Sequence, residues 1–296
     1  MKFKKNLKKF AVIGMAVLAL TLVGCGSDTE EEAGSLGEQL NYTITGIDAG
    51  SGVVRLTEQA IEDYGLDYTV QTSSGAAMTQ ALGDAIENEE PIIVTGWNPH
   101  WMFSVYDLKY LEDPKGSFGE AEDIHTIARL GLSEDMPEAY QILDNFYWEG
   151  SDMEDVMVKV NDGENPEDVA AAWVEDNPDK VATWTDGVDP VDGVEINIAY
   201  VAWDSEIAST NVIGKVLSDM GYDVTLTQVE NGPMWEAVAS GQTDAIVSAW
   251  LPATHADQYA KYEAEIDDLG ANLEGAKIGL VVPSYMDIDS IEDLVE

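Results

Sequence analysis

The chain contains one pattern twice, and no other feature constrains its fold as strongly. The first copy opens at Thr43, "TITGIDAGSGVVRLTEQAIEDYGLDYTVQTSSGAAMTQAL", and closes on "PIIVTGWNPHWM". The second opens at Asn197, "NIAYVAWDSEIASTNVIGKVLSDMGYDVTLTQVENGPMWEAV", and closes on "TDAIVSAWLPATH". Each begins with a short β-prone run and a turn rich in Gly, Ser or Asp. An amphipathic helix follows, with Val54, Leu56, Ala60 and Ile61 on its apolar face in one copy and Ile207, Val212, Val216 and Leu217 in the other. Each helix stops at a glycine, Gly65 or Gly221, as expected just past a helix C-terminus. A second strand, a second helix bearing Met78 or Met234, and a third strand complete each copy. An offset of roughly 155 residues is too long for a solenoid unit. It predicts an α/β fold of two βαβαβ lobes, with mostly parallel sheets covered by helices and crossing strands joining the lobes. Ligands in such sheets sit beyond the carboxyl ends of the strands. Trp97 and Trp250 both fall at the end of a third strand, where a cleft between facing lobes is expected.

The rest of the chain sorts around this repeat. "MKFKKNLKKF" carries five lysines and precedes "AVIGMAVLALTLVG", 14 residues that are apolar or small except for Thr21. That is a signal segment, residues 1–24, too short for a spanning helix. It ends in "LVGC", and Cys25 is the only cysteine. This ending resembles a bacterial lipoprotein signal, in which the cysteine becomes the lipidated N-terminus and anchors the protein to the membrane. Residues 25–41, small and acidic, read as a flexible tether. The remaining ~255 residues suffice for two lobes of ordinary size. We expect the first lobe to span 42–125, with 281–296 returning to it, and the second 126–280. "AKIGLVVPSYM" is the expected crossing strand and "DSIEDLVE" a short closing helix. Between the copies, residues 121 to 185 read as mostly helical. Asp135 is a plausible helix cap there, and Asn165 a second cap with Pro166 at the first helical position. Trp148, Trp173 and Trp184 read as packing residues.

Charge excludes some partners. Five of the 14 basic residues lie in the signal segment, leaving nine against 57 acids. Nucleic acid and anionic lipid surfaces are therefore poor partners. The acids spread along the whole chain, which suits solubility in concentrated salt better than recruitment of a cationic substrate.

Catalytic constellations are hard to find. The three histidines, His100, His125 and His255, have no ligand spacing with one another or with cysteine, so a metal site is not expected. No Gly-x-Ser-x-Gly is present, and "GIDAGSG" is neither a dinucleotide fingerprint nor a Walker loop. No cofactor and no enzymatic activity is expected. Trp97, Trp203 and Trp250, at strand ends in both copies, stand out instead. Three indole faces could cage a cation, quaternary ammonium above all, at about 2 kcal/mol per desolvated contact. Core packing and sugar stacking remain open on the residues alone. In "AGSGVV", the backbone N–H groups of Gly52 and Val53 open a helix and suit an anion. His255 could donate to the same group.

The stretches "GIDAGSG", "PIIVTGWNPHWM", "DLKYLEDPKGSFGEAEDIHTIAR", "INIAYVAWDSEIASTNVIGKVL", "VTLTQVENGPMW" and "SAWLPATH" together resemble the glycine betaine-binding proteins of osmoprotectant ABC importers, the OpuAC family. They are spread, in the family's order, over nearly the whole chain after the tether. The resemblance implies a type II periplasmic-binding-protein fold that closes by a hinge. It implies an aromatic prism of Trp97, Trp203 and Trp250 around a trimethylammonium group, and a carboxylate held by Gly52, Val53 and His255. It also implies permease and ATPase subunits as partners and a place on the extracytoplasmic face of a bacterial membrane. Val53 stands where relatives often carry isoleucine, and Asn98 where some carry threonine. Choline, carnitine and proline betaine are alternative ligands, with choline disfavoured by the anion site. A secreted carbohydrate-binding protein is the alternative from another class.

Overall fold

A computed structural model describes residues 34–295. The signal segment, Cys25 and most of the expected tether lie outside them. Nine strands form one curled sheet, in the order β2-β1-β3-β9-β5-β8-β6-β7 with β4 paired to β9. The first copy supplies β1 (Thr43–Gly46), β2 (Thr69–Thr72) and β3 (Val94–Asn98), with β1 central and parallel to both neighbours. The second supplies β6 (Val194–Tyr200), β7 (Tyr222–Gln228) and β8 (Ala245–Leu251), again with its first strand central and parallel to the others. The repeat in sequence is thus a repeat in topology, and the expected α/β fold with two parallel βαβαβ halves stands.

The helices of the copies match as well. Helix α1 (Gly52–Tyr64) ends at Gly65, whose φ of 67° is the left-handed conformation expected there. Helix α2 (Gly75–Asn88) is capped by the Ser74 hydroxyl. Between the copies come α3 (Pro137–Asn145), α4 (Gly150–Asn161), α5 (Pro166–Asp176) and α6 (Pro178–Thr185). The second copy adds α7 (Asp204–Asp219) and α8 (Asn231–Ala239). Asn165 caps α5 as expected, accepting from the N–H groups of Glu167 and Asp168. Asp135 does not cap α3. It closes a separate turn, Leu132–Asp135, and pairs with Arg129 at 2.9 Å. Pro137 at the first position of α3 leaves Met136 as the flanking residue.

The crossing strand is longer than expected. β9 runs from Ile266 to Pro283 and belongs to both halves. Its first part pairs with β5 (Glu122–Arg129), and its last part with β3 and β4 (Leu108–Tyr110). The stretch 121–185, expected to be mostly helical, is so from residue 132 onward but opens with β5, a strand between β8 and β9. The division expected at 125/126 falls inside β5, and that at 280/281 inside β9. No helix among the described residues is long and apolar enough to cross a membrane.

The middle helices pack around an aromatic cluster. Trp173 stacks on Trp184 at 5.9 Å between centroids, and Phe146 meets the Trp184 face edge-on at 4.9 Å. Trp148 meets Trp173 edge-on at 5.7 Å. All four rings are buried, and the Trp184 Nε1–H donates to the Tyr147 carbonyl at 2.9 Å. These tryptophans are therefore core, as read from the sequence. Trp184→Ala should destabilise the fold by about 3–5 kcal/mol, measured as a shift in urea unfolding.

One carboxyl lies in the core. Glu206, in the first turn of α7, is fully buried and accepts from the Val201 N–H at 2.6 Å. Burial pushes its carboxyl up to about 8, an effect the Val201 N–H and the Ser248 hydroxyl only partly offset. The folded protein therefore holds a proton here that the unfolded chain gives up near its ordinary value of 4.5. This group's contribution to stability is full below that value and is lost as pH rises through about 8. Glu206→Gln, which cannot ionise, should flatten the fall in the urea midpoint over this window.

Candidate functional site

The carboxyl ends of the parallel strands face one another across a cavity lined by Ile47, Ser51, Gly52, Val53, Trp97, Trp203, Ser205, Trp250, Thr254 and Ile278. About 340 Å³ of empty space, part of it open to solvent, lies between them. Five of the six expected site residues thus meet in one place. His255 adjoins the cavity without lining it. Its ring lies nearly parallel to that of Trp203, with centroids 6.4 Å apart, and edge-on to Trp235 at 5.6 Å.

Local structure explains how each wall arrives. Trp97 is the fourth residue of β3, paired across the ladder with Ile278 of β9. Trp250 is the sixth residue of β8, paired with Ile124 of β5. Both strands are buried through this stretch, so the indoles are carried on the most rigid part of each sheet. Trp203 comes differently, as the residue flanking the N-terminus of α7. The three tryptophans are buried by the protein and line the cavity.

Opposite the indoles, the start of α1 is built to receive negative charge. Its first N–H groups, at Gly52 and Val53, have no intrahelical partner. No acidic residue lies in its first turn, and the Ser51 hydroxyl does not cap it. That hydroxyl is buried with no partner within the protein, and Ser51 lines the cavity. In the second lobe, α7 begins with Asp204, so its own chain occupies the equivalent positive end.

The two copies treat their histidines alike. Each follows the third strand after a cis-proline peptide, Asn98–Pro99 or Leu251–Pro252. His100 Nδ1 accepts from the Met102 N–H at 3.1 Å, and His255 Nδ1 accepts from the Trp250 N–H at 3.0 Å. An accepting Nδ1 leaves the proton of a neutral ring on Nε2. Burial pushes His255 down to about 3, with the nearby Arg55 adding to the fall, so at ordinary pH it is a neutral donor. Its Nε2 is buried without a partner. His100 braces Trp97 edge-on at 4.5 Å between centroids and directs its own Nε2 at Asp204, 3.3 Å away. Trp101, the other tryptophan of that loop, packs on His100 and Tyr106 outside the cavity.

Several contributors were not found from the sequence. Glu122 of β5 is buried and accepts from the N–H groups of Ala253 and Thr254, at 2.6 and 2.7 Å, and from the Thr254 hydroxyl. It fixes the loop that carries Thr254 and His255. Asp48 accepts from the Trp203 Nε1–H at 3.0 Å. Arg55 of α1 reaches across to the Ala253 carbonyl at 2.9 Å and to Asp257 at 3.4 Å. Asn231 donates to the Gly50 carbonyl at 3.1 Å. Among the chain's many acids nothing in local sequence marks Glu122 or Asp48. At Gly52 an added Cβ would lie 2.1 Å from the Thr254 carbonyl oxygen. Among the described residues no group of three or more His, Cys, Asp or Glu is placed to hold a metal ion.

The chain matches the family described as the substrate binding domain of ABC-type glycine betaine transport systems, over residues 26–176 and 194–296. It is 55% identical over 286 residues, 95% of each chain, to the glycine betaine/carnitine transport binding protein GbuC of Listeria monocytogenes serotype 1/2a. Among solved structures it is similar to lactococcal OpuAC in its closed, glycine betaine-bound conformation. That match has 47% identity and a TM-score of 0.49, over 51% of this chain and 60% of the other. A choline-binding protein of an ABC transporter, solved with choline, matches at 28% identity and a TM-score of 0.45, over 51% of this chain and 55% of the other. The chain belongs to the family of substrate-binding domains of ABC-type glycine betaine transport systems.

Proposed function

We propose that the cavity binds glycine betaine, with its trimethylammonium group among Trp97, Trp203 and Trp250 and its carboxylate on the N–H groups of Gly52 and Val53. The observation that carries this reading is the make-up of the cavity: three tryptophans line it together with a helix N-terminus that has no acid in its first turn. A quaternary ammonium has no N–H to give to a carboxylate, and its diffuse charge is inexpensive to desolvate, so ring faces suit it. A carboxylate suits the open end of α1. The buried, unpartnered Ser51 hydroxyl lines the same end as a donor, and the unpartnered His255 Nε2–H lies next to the cavity. Choline, which lacks a carboxylate, leaves those donors unsatisfied, at the usual cost of buried polar groups. Carnitine, which the name of the Listeria relative includes, carries both charged groups with a longer spacing.

On this reading the protein performs no chemistry on its ligand and hands it to the permease and ATPase subunits of an importer. It works on the extracytoplasmic face of a bacterial membrane, held there by a lipid on Cys25. Ligand stabilises the closed arrangement of the lobes by its greater affinity for that arrangement.

Calorimetric titration of the purified protein in high salt with glycine betaine, carnitine, choline and a neutral sugar tests the reading. Glycine betaine should bind well above choline, and the sugar not at all. Equal binding of betaine and choline would sink the carboxylate site. Trp250→Ala should weaken betaine binding by about tenfold or more, since one desolvated cation–π face is worth about 2 kcal/mol. Gly52→Ala carries a separate expectation. The added methyl collides with backbone from the opposite lobe, so closure is blocked and affinity falls at least tenfold, on the order of 1.4 kcal/mol or more. Small-angle scattering with saturating betaine should show that variant staying extended where the unaltered protein compacts.

A further inference from the structure

Trp203 and Asp204 are consecutive residues of the second lobe, and a residue of the first lobe grips each. The Trp203 indole N–H donates to Asp48 Oδ2 at 3.0 Å. His100, with its Nδ1 occupied by the Met102 N–H, donates from Nε2 to Asp204 Oδ2 at 3.3 Å. Asp48 lies in the turn after β1, and His100 in the loop after β3. Both grips therefore span the cleft and exist only when its two faces are together.

The three indoles differ in what holds them. Trp97 and Trp250 sit inside strands, each with a ladder partner on the neighbouring strand. Trp203 has no ladder. It lies between the end of β6 at Tyr200 and the start of α7. Its ring rests against His255, and the hydrogen bond to Asp48 is its one polar tie. A cation–π contact requires the ring face, not its edge, toward the charge. Orientation of this ring is thus decided by its N–H, and the acceptor belongs to the other lobe. Asp48 does not line the cavity, so it addresses the ring rather than the guest.

We infer that Asp48 is a positioning residue: it turns Trp203 into the third wall of the cage as the lobes close, so that the cage is complete only in the closed form. This rests on the reading of the cavity as a trimethylammonium cage. Hydrogen bonds to a carboxylate are the stronger kind, and an indole N–H buried without one is costly.

The test is betaine titration of the purified protein and of Asp48→Ala, Asp48→Asn, Trp203→Phe and the Asp48→Ala/Trp203→Phe double variant. Asp48→Ala should bind roughly tenfold more weakly, the loss expected for a charged hydrogen bond. Asp48→Asn keeps an acceptor for the indole and should recover most of that loss. In the Trp203→Phe background, where no indole N–H remains, Asp48→Ala should cost less than about twofold, the signature of two residues acting as one unit. Asp48→Ala binding as tightly as the unaltered protein overturns the inference. So does an Asn variant as weak as the Ala variant, which would make Asp48 a counter-ion for the guest, and so does a full additive loss in the double variant. If the unaltered protein itself binds no betaine, the cage reading falls and this inference falls with it. Binding that is intact and indifferent to Asp48 removes the inference alone.

Discussion

Glu122 accepts three hydrogen bonds from residues 253 and 254, and the second lobe's face of the cleft takes its position from that anchor. Leu251–Pro252 turns the chain off β8, and the buried carboxylate collects the N–H groups that the turn exposes. Thr254 is thereby presented to Gly52, and His255 is set so that its Nδ1 closes back on the Trp250 N–H. A buried charge is tolerable where each lone pair is met by a donor, and here a strand residue stabilises a loop on a neighbouring strand. The loop is tied to the sheet beneath it, although it has no regular structure of its own.

The two copies share their topology and diverge in what they do with it. Each lobe offers a helix N-terminus and a histidine beside a tryptophan. In the first lobe the helix end is open and the histidine donates across to Asp204. In the second the helix end carries Asp204 and the histidine keeps its donor unspent. The exchange leaves an open helix end on the first lobe and an unpartnered imidazole Nε2 on the second. Two identical lobes would have offered the same chemistry from both directions.

Much of this was legible in the sequence, because it rests on periodicity and on residue types that act where they stand. The helix faces around Val54 and Val212, the glycines after each helix, and the tryptophans at the strand ends follow from local rules and from comparing one copy with the other. What could not be read depends on partners distant in sequence. Asp48 and Trp203 are 155 residues apart, and neither marks the other. β5 was hidden by its own composition. Glu122 and Thr126 are buried on it, and each is satisfied by a partner far away, the 253–254 loop for one and Asn272 for the other. Asp135 misled because Pro137, two residues later, begins the next helix and leaves the aspartate to close the turn before it. The histidine roles needed coordinates, since which ring nitrogen is free depends on a backbone N–H aimed at the other.

The clearance at Gly52 has a wider consequence. With no space for a single carbon between this residue and the Thr254 carbonyl, the two halves act as the jaws of a calliper. On the reading proposed above, a guest that is an atom too long is not simply held less tightly; its excess length is transferred to the gap between the jaws. Molecular length is thereby converted into a separation of protein surfaces, a quantity that another macromolecule can inspect without touching the guest.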